Sequence, residues 1–359
     1  MKIVHVVETW TGGIATYVQT LAIKQRDLGH QVTLLCDLGK LEGGLHIEGV
    51  DIVHYRSSRN PARFWSISRR LQRCIASLYA DVVHCHSSFP GMYVRMRNHA
   101  GVRIIYTPHA WSFLKTDVTT PDKWGYGLVE RMLARRCDQI LCMSFDELRA
   151  ARRYRIPAEK IEFIYTGIAS DDHVYAPKQK DETHSIKVGY FGRLDYQKGF
   201  DVVLEALPLL NARLELHAYG AAVRGGIDAG SNAGTRAGDG TRITYHGWLN
   251  ATGIRHAMQE MDVVVVPSRW EGLALVPIEA MRAGKVIVVS GESSLPEQVI
   301  HGYNGVILRE LSGHCLADNL NRLTLDECRR MGANARHVFE STFQIDRFLN
   351  TLMSCYERP

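Results

Sequence analysis

The chain has 359 residues, 45% of them hydrophobic and 23% charged, with a formal net charge of +5. That length suits two domains, and the composition excludes wholesale disorder and leaves no need for a disulfide or metal to hold a core. The eight cysteines are scattered without a C-x-x-C pair, which argues against a disulfide scaffold or zinc ribbon and favours a reducing cytosol.

The opening MKIVHVV (1–7) predicts a strand rather than a signal peptide, and no apolar run is long enough to span a membrane. The runs IVHVV (3–7), QVTLLC (31–36), DVVHCH (81–86), RIIYT (103–107) and QILCM (139–143) read as buried strands. Helical spacing fills 14–28, 62–79, 90–99 and 125–136 between them. Ser144 and Glu147 form an S-x-x-E capping box that predicts a helix over 144–154. Apolar strands alternating with helices mean a parallel sheet covered on both faces.

From about 165 to 185 the chain is polar and without period, which places the end of a first domain at 1–168. A second α/β run follows, with strands at 186–191, 213–219, 242–246, 263–267 and 286–290 and helices at about 199–210, 252–259, 275–283 and 294–300. This second domain is expected over 169–340. Helical segments close the chain, and the last piece, 341–359, is expected to be a helix returning toward the first domain. The glycine-rich stretch 220–240 has almost nothing to bury and reads as a mobile surface loop.

Charge is divided unevenly. Through residue 180 there are 25 Lys and Arg against 17 Asp and Glu, and beyond it 18 against 21. The basic excess peaks over 56–73, where Arg56, Arg59, Arg63, Arg69, Arg70 and Arg73 surround Phe64 and Trp65. Such a stretch suits an anionic membrane surface or a nucleic acid, and equally a solvated helix face.

Three places carry candidate chemistry. Gly12 and Gly13 follow the first strand and open a helix, either as a tight turn or as a backbone approach to a ligand. The pattern is not G-x-G-x-x-G, so a nicotinamide cofactor is not indicated. Gly192 and Arg193 end the first strand of the second domain, with Lys198 and Gly199 just beyond. Two cations in a glycine turn can hold a diphosphate. In PSRWEGLALVPIEAMRAG (267–284), Glu271 and Glu279 flank a junction of apolar strand and helix. Carboxylates there can accept from sugar or ribose hydroxyls, while loop N–H groups hold phosphate oxygens.

The pair Glu271 and Glu279 resembles the E-x7-E element of retaining glycosyltransferases with the GT-B fold, most similar to family GT4. The resemblance extends over nearly the whole chain, through ETWTGGIATYV, DVVHCH, TPHAW, GYFGRLDYQKGFDVVLEAL and LPEQVIHGYNGVIL. It implies an α/β fold of two doubly wound Rossmann-like domains facing a central cleft. It also implies transfer of a sugar from a nucleotide-sugar donor, UDP before GDP, to a saccharide acceptor that is lipid-linked, in surface polysaccharide assembly.

Residue by residue, the resemblance gives Arg193 and Lys198 to the diphosphate, Glu279 to the ribose, and Glu271 to the donor sugar. The N–H groups around Gly272, Leu273, Ala274 and Leu275 fall near sugar and phosphate. His109 would meet the donor sugar from the first domain, Gly12 and Gly13 would lie near the diphosphate and acceptor, Gly192 would lie at the bound donor nucleotide, and Gly247 and Trp248 would lie near the base. His86 and Trp111 are weaker candidates for the acceptor side, and core packing accounts for Trp111 equally well. The leaving group is neutralised by these cations, so no metal or other cofactor is expected. The expected location is the cytoplasm, peripheral on the inner face of the membrane through 56–73, with no nucleic-acid partner. A nucleotide-sugar 2-epimerase of the same fold and a phosphate-binding nucleic-acid-associated protein are the rivals.

Overall fold

The computed structural model describes residues 1–10, 12–37, 39, 45–170, 185–222, 235–236 and 242–358. Of the glycine-rich stretch 220–240 expected to be a mobile loop, only 220–222 and 235–236 fall within the described residues, so that expectation lies mostly outside them. Two units emerge, Met1–Ala169 with Ile345–Pro359, and Ser170–Gln344.

The first unit is built on a seven-stranded parallel sheet, ordered β3-β2-β1-β4-β5-β6-β7. Its strands are β1 (Lys2–Val7), β2 (Gln31–Cys36), β3 (Asp51–His54), β4 (Val82–His86), β5 (Arg103–Thr107), β6 (Gln139–Cys142) and β7 (Ile161–Phe163). Crossovers run through α1 (Gly12–Asp27), α2 (Phe64–Ser77), α3 (Ser88–Arg95), α4 (Thr120–Ala134) and α5 (Phe145–Arg153). The central strands are buried on both faces because helices cover both, and α1 buries Ala15, Val18, Leu21 and Ala22 at helical spacing against them. The two edge strands escape the sequence reading. β3 is only four residues long and β7 three, and neither contains a fully buried position.

A last helix, α11 (Ile345–Glu357), belongs to this unit. The Ile345 amide donates to the Ile168 carbonyl, and Arg103 Nε donates to the Cys355 carbonyl at 2.7 Å. Its apolar face buries Phe348, Leu349, Leu352 and Tyr356.

The second unit holds another seven-stranded sheet, ordered β10-β11-β9-β8-β12-β13-β14. These are β8 (Ile186–Phe191), β9 (Leu214–Tyr219), β10 (Thr235–Arg236), β11 (Arg242–Gly247), β12 (Val263–Val266), β13 (Val286–Val289) and β14 (Gly305–Ile307). All pairings are parallel except that of β10 with β11. The helices are α6 (Phe200–Ala206), α7 (Ala251–Glu260), α8 (Leu275–Arg282), α9 (Gly313–Arg322) and α10 (Leu325–Thr342). The helix expected over 294–300 is only a 3-10 turn, Leu295–Gln298. The chain passes next into Gly305, whose absent side chain lets it pack on the Ile287 carbonyl. In each sheet the strand order reverses beside one central strand, β1 in the first and β8 in the second. Ligands of doubly wound sheets bind beyond the carboxyl ends at that point.

Candidate functional site

In the second unit, the loops leaving β8 and β12 lie side by side and are cross-braced. Gly199 permits this, since a Cβ there would come within 1.9 Å of the Pro267 carbonyl oxygen. The Arg269 amide donates to the Gln197 carbonyl at 2.8 Å, and Gln197 Nε2 donates to the Trp270 carbonyl at 3.1 Å. The Arg269 guanidinium grips Asp201 with two bonds of 2.8 and 2.6 Å and covers the Tyr196 ring.

The expected charged residues converge on this frame. Lys198 Nζ is 2.6 Å from Glu271 Oε1, and Glu271 is buried. The second carboxylate oxygen of Glu271 has no partner among the described residues, so it remains an acceptor. Arg193 stays partly exposed, with Nε 3.1 Å from Asp195 and one terminal nitrogen 2.6 Å from Gln197. Asp195 also accepts the Lys198 amide at 2.9 Å, so one carboxylate orders both cationic residues. Sequence reasoning missed Asp195, Gln197 and Arg269 because each acts through a neighbour and forms no recognisable spacing.

Beyond Glu271 the chain passes Gly272, buries the side chains of Leu273 and Ala274, and enters α8 at Leu275. Ala274 is the N-cap and offers no side-chain oxygen. The first-turn N–H groups of α8 therefore lack the usual cap, as an anion site at a positive helix end requires. Gln298 Nε2 holds the Ala274 carbonyl at 2.9 Å, and the Ser293 hydroxyl braces Glu271 by accepting its amide and donating to its carbonyl. Glu279 lies within α8 and is half-buried. Gly192 packs beneath Gly220, and Gly247, at φ +70°, accepts the Gly220 amide at 2.8 Å. Trp248 next to it is exposed.

In the first unit, Gly12 opens α1 with φ +65° and an empty space where a Cβ would lie. Backbone conformation, not crowding, calls for glycine at this turn. Gly13 beside it is exposed. His109 follows β5 in a loop where two non-glycine residues adopt left-handed backbone, His109 at φ 52° and Ala110 at φ 75°. Such strain persists only where the surroundings enforce it. Here the enforcer is the buried Glu147, whose carboxylate accepts the Ala110 amide at 2.7 Å and the Met143 amide at 2.8 Å. The expected capping box is thus only half formed. Ser144 accepts the Glu147 amide, while the Glu147 carboxylate is spent on these two amides.

His109 Nε2 is 3.1 Å from His86 Nδ1, and His86 Nε2 is 2.9 Å from His5 Nδ1. His86 is therefore no surface residue but a buried link between His5 and His109. Trp111 is corrected more sharply. Its side chain is 1% exposed, stacks on Phe113 at 5.1 Å and donates to the Glu147 carbonyl, so it packs the core and lines no acceptor surface. Phe113 stacks in turn on Tyr154, and this aromatic column draws the segment inward.

His5, His84 and His86 lie close enough to share a metal ion. All six of their ring nitrogens already have hydrogen-bond partners, namely Gln25, Tyr356, Thr107, His109 and one another. Any ion there would have to break these bonds. Burial holds the row uncharged, pushing His5 down to about 4, His109 down to about 3, and His84 and His86 well below the ordinary range.

Residues 11–172 match the family described as Glycosyltransferase Family 4, and residues 174–338 match Glycosyl transferases group 1. The chain belongs to the GT4-type glycosyltransferases. A 41.2 kDa protein of the cps region of Klebsiella pneumoniae is 24% identical over 99% of both chains. A glycosyltransferase of Methanocaldococcus jannaschii is 25% identical over 91% of this chain and 90% of its own. Among solved structures, Anabaena HepE in complex with UDP and glucose superposes with a TM-score of 0.79 at 19% identity, over 99% of this chain and 98% of its own. The fold is GT-B, with two Rossmann-like parallel-sheet domains. The enzyme is a transferase, and among its described residues no helix is long and apolar enough to cross a membrane.

Proposed function

We propose that this glycosyltransferase takes a sugar from a nucleoside diphosphate sugar and passes it, with retained anomeric configuration, to a lipid-linked saccharide in surface polysaccharide assembly. The observation that carries the reading is the buried Glu271 paired with Lys198 at 2.6 Å, next to Arg193 and the uncapped start of α8. A diphosphate needs cations and N–H donors, and a sugar ring needs a carboxylate acceptor beside them. Both kinds of group occur together here.

In this scheme the bond from the anomeric carbon to the diphosphate oxygen breaks through an oxocarbenium-like state, and negative charge gathers on the leaving group. Lys198, Arg193 and the α8 amides stabilise that charge, with no step that calls for a metal. The acceptor hydroxyl attacks the same face and gives its proton to the departing phosphate, so no enzyme nucleophile is needed. Glu271 holds a sugar hydroxyl through its unengaged oxygen, Glu279 holds the ribose, Gly12, Gly13 and Gly192 approach the diphosphate, Gly247 and Trp248 meet the base, and His109 meets the donor sugar. The HepE complex with UDP and glucose favours a uridine donor over the guanosine alternative, and the cps region of the Klebsiella relative favours the polysaccharide setting. Nucleotide release from UDP-, GDP-, ADP- and dTDP-sugars, with and without a lipid-saccharide extract, tests the reading. Release from one donor, increased by the extract, is the expected result. Sugar isomerisation without release would overturn it.

A lipid-linked acceptor calls for a membrane-facing surface. The arginines of 56–73 are exposed, but Phe64 packs on Phe89 and Tyr93, which leaves Trp65 as the exposed aromatic of that stretch. The larger apolar surface is on α4, where Trp124, Tyr126, Leu128, Val129 and Met132 are all exposed beside Arg131 and Arg135. Residues 96–97 join the two places. Arg97 covers Trp65 at 3.8 Å, and Arg136, just past α4, donates to the Met96 carbonyl at 2.8 Å. Aromatic and aliphatic groups with arginines beside them suit an anionic bilayer. Changing Trp124, Leu128 and Met132 together to serine should reduce cosedimentation with phosphatidylglycerol vesicles at least several-fold. Unchanged cosedimentation would remove α4 from the membrane-binding surface.

A further inference from the structure

The histidine row of the first unit ends inside the core on a side chain that can dictate its proton order. Gln25 of α1 is fully buried, with Oε1 2.7 Å from His5 Nε2 and Nε2 3.4 Å from the Tyr356 hydroxyl. Tyr356 lies on α11 and is 2.6 Å from His84 Nδ1, whose ring reaches Thr107 with its other nitrogen at 2.7 Å. A tyrosine hydroxyl has one proton. If it gives that proton to His84, it can only accept from Gln25, and the amide must turn its oxygen to His5.

We propose that Gln25, oriented by Tyr356, sets the proton order along His5, His86 and His109, so that His109 presents a bare Nδ1 as an acceptor. A neutral imidazole has one N–H donor and one lone-pair acceptor. The Gln25 oxygen requires a proton on His5 Nε2, which leaves His5 Nδ1 bare. His86 Nε2, 2.9 Å away, must then donate, which leaves His86 Nδ1 bare. His109 Nε2, 3.1 Å from it, must donate in turn. His109 Nδ1 is left bare and has no partner among the described residues. With the amide reversed, every bond in the row would reverse and His109 would present an N–H instead. The order requires neutral rings, and burial keeps a second proton off each of the three.

Gln25, His5, His86 and Tyr356 are positioning residues in this account. Its functional meaning rests on the reading above, in which His109 meets the donor sugar, since a bare nitrogen accepts from a sugar hydroxyl and an N–H does not. The titratable groups around His5 are His84 and His86 on β4, with Tyr356 one hydrogen bond further. Burial lowers the His5 pKa, and its hydrogen bond to Gln25 works in the opposite direction.

Nitrogen NMR of the full chain with labelled histidine tests the proposal. In the wild type His5, His86 and His109 should all carry the proton on Nε2, unchanged between about pH 6 and 9. Gln25→Glu places a carboxylate against His5 and raises its pKa. Once charged, His5 donates from both nitrogens, so His86 must accept at Nε2 and the row reverses. His109, two hydrogen bonds away, should then move its proton to Nδ1 in the same pH step that charges His5. Gln25→Met, and equally Tyr356→Phe if the first variants fail to fold, should give averaged His109 shifts. A proton on His109 Nδ1 in the wild type, or a His109 unmoved while His5 titrates in Gln25→Glu, would overturn the proposal. The spectra need no substrate. Full activity of His109→Ala would instead sink the sugar-contact reading and leave the spectra unaffected.

Discussion

Replacing Lys198 with alanine is expected to lower turnover about 10²–10³-fold, the usual cost of losing one preorganised group that stabilises transition-state charge. Lys198 is held for this by Glu271 at 2.6 Å and by Asp195, which fixes its amide. The leaving diphosphate is most negative as the sugar departs, so the loss should appear in kcat more than in affinity for the free nucleotide. Glu271→Gln keeps the shape and releases the lysine, and a double-mutant cycle over the two should show strong coupling. The unfolding midpoint separates this from a folding defect. The Lys198 side chain is 25% exposed, and ion pairs with such access to water contribute about 1 kcal/mol or less to stability. A fall in activity matched by general unfolding, or no fall at all, would remove Lys198 from the site.

Glu147→Ala should have the largest effect on stability, about 3 kcal/mol, measured by denaturant unfolding. Hydrogen bonds to a charged group contribute roughly 1.5–3 kcal/mol each, and this carboxylate accepts from two backbone amides. It also holds His109 and Ala110 in left-handed backbone, which costs about 1–2 kcal/mol per non-glycine residue. Without it the loop relaxes and His109 moves away from His86. Adding Ala110→Gly should recover part of the loss, because glycine adopts φ 75° without penalty. A double variant no more stable than Glu147→Ala would show that the strained turn is not what Glu147 supports.

Most of the architecture is legible in the sequence because the central strands are short, largely apolar runs rich in Val and Ile, bounded by helix-period segments. The edges are not. β3 and β7 are short and partly exposed, so they lack both the length and the apolar continuity that mark a buried strand. The segment 294–300 reads as a helix from its apolar spacing, yet only Leu295–Gln298 turns, and Val299 is already extended at φ −127° and ψ 124°. At the candidate site, Arg193, Lys198, Glu271 and Glu279 stood out as charges in loops and helix starts beside apolar strands. Trp111 was ambiguous, since an aromatic residue after a strand packs inward or outward according to what lies beneath it. Here Phe113 and Tyr154 form a column for it.

The alternation of strands and helices, the two units and the types of charge at their strand ends can be read from the chain alone, because they follow from local periodicity and turn chemistry. Which of those groups meet depends on the three-dimensional fold. Lys198 and Glu271 are 73 residues apart, His5 and His86 are 81 apart, and Gln25 and Tyr356 are 331 apart. The order of strands in a sheet and the return of α11 bring such pairs within hydrogen-bond reach. Whether a buried histidine or glutamate is a structural filler or part of a site depends on that distant partner, because a polar group removed from water is defined by what replaces the water.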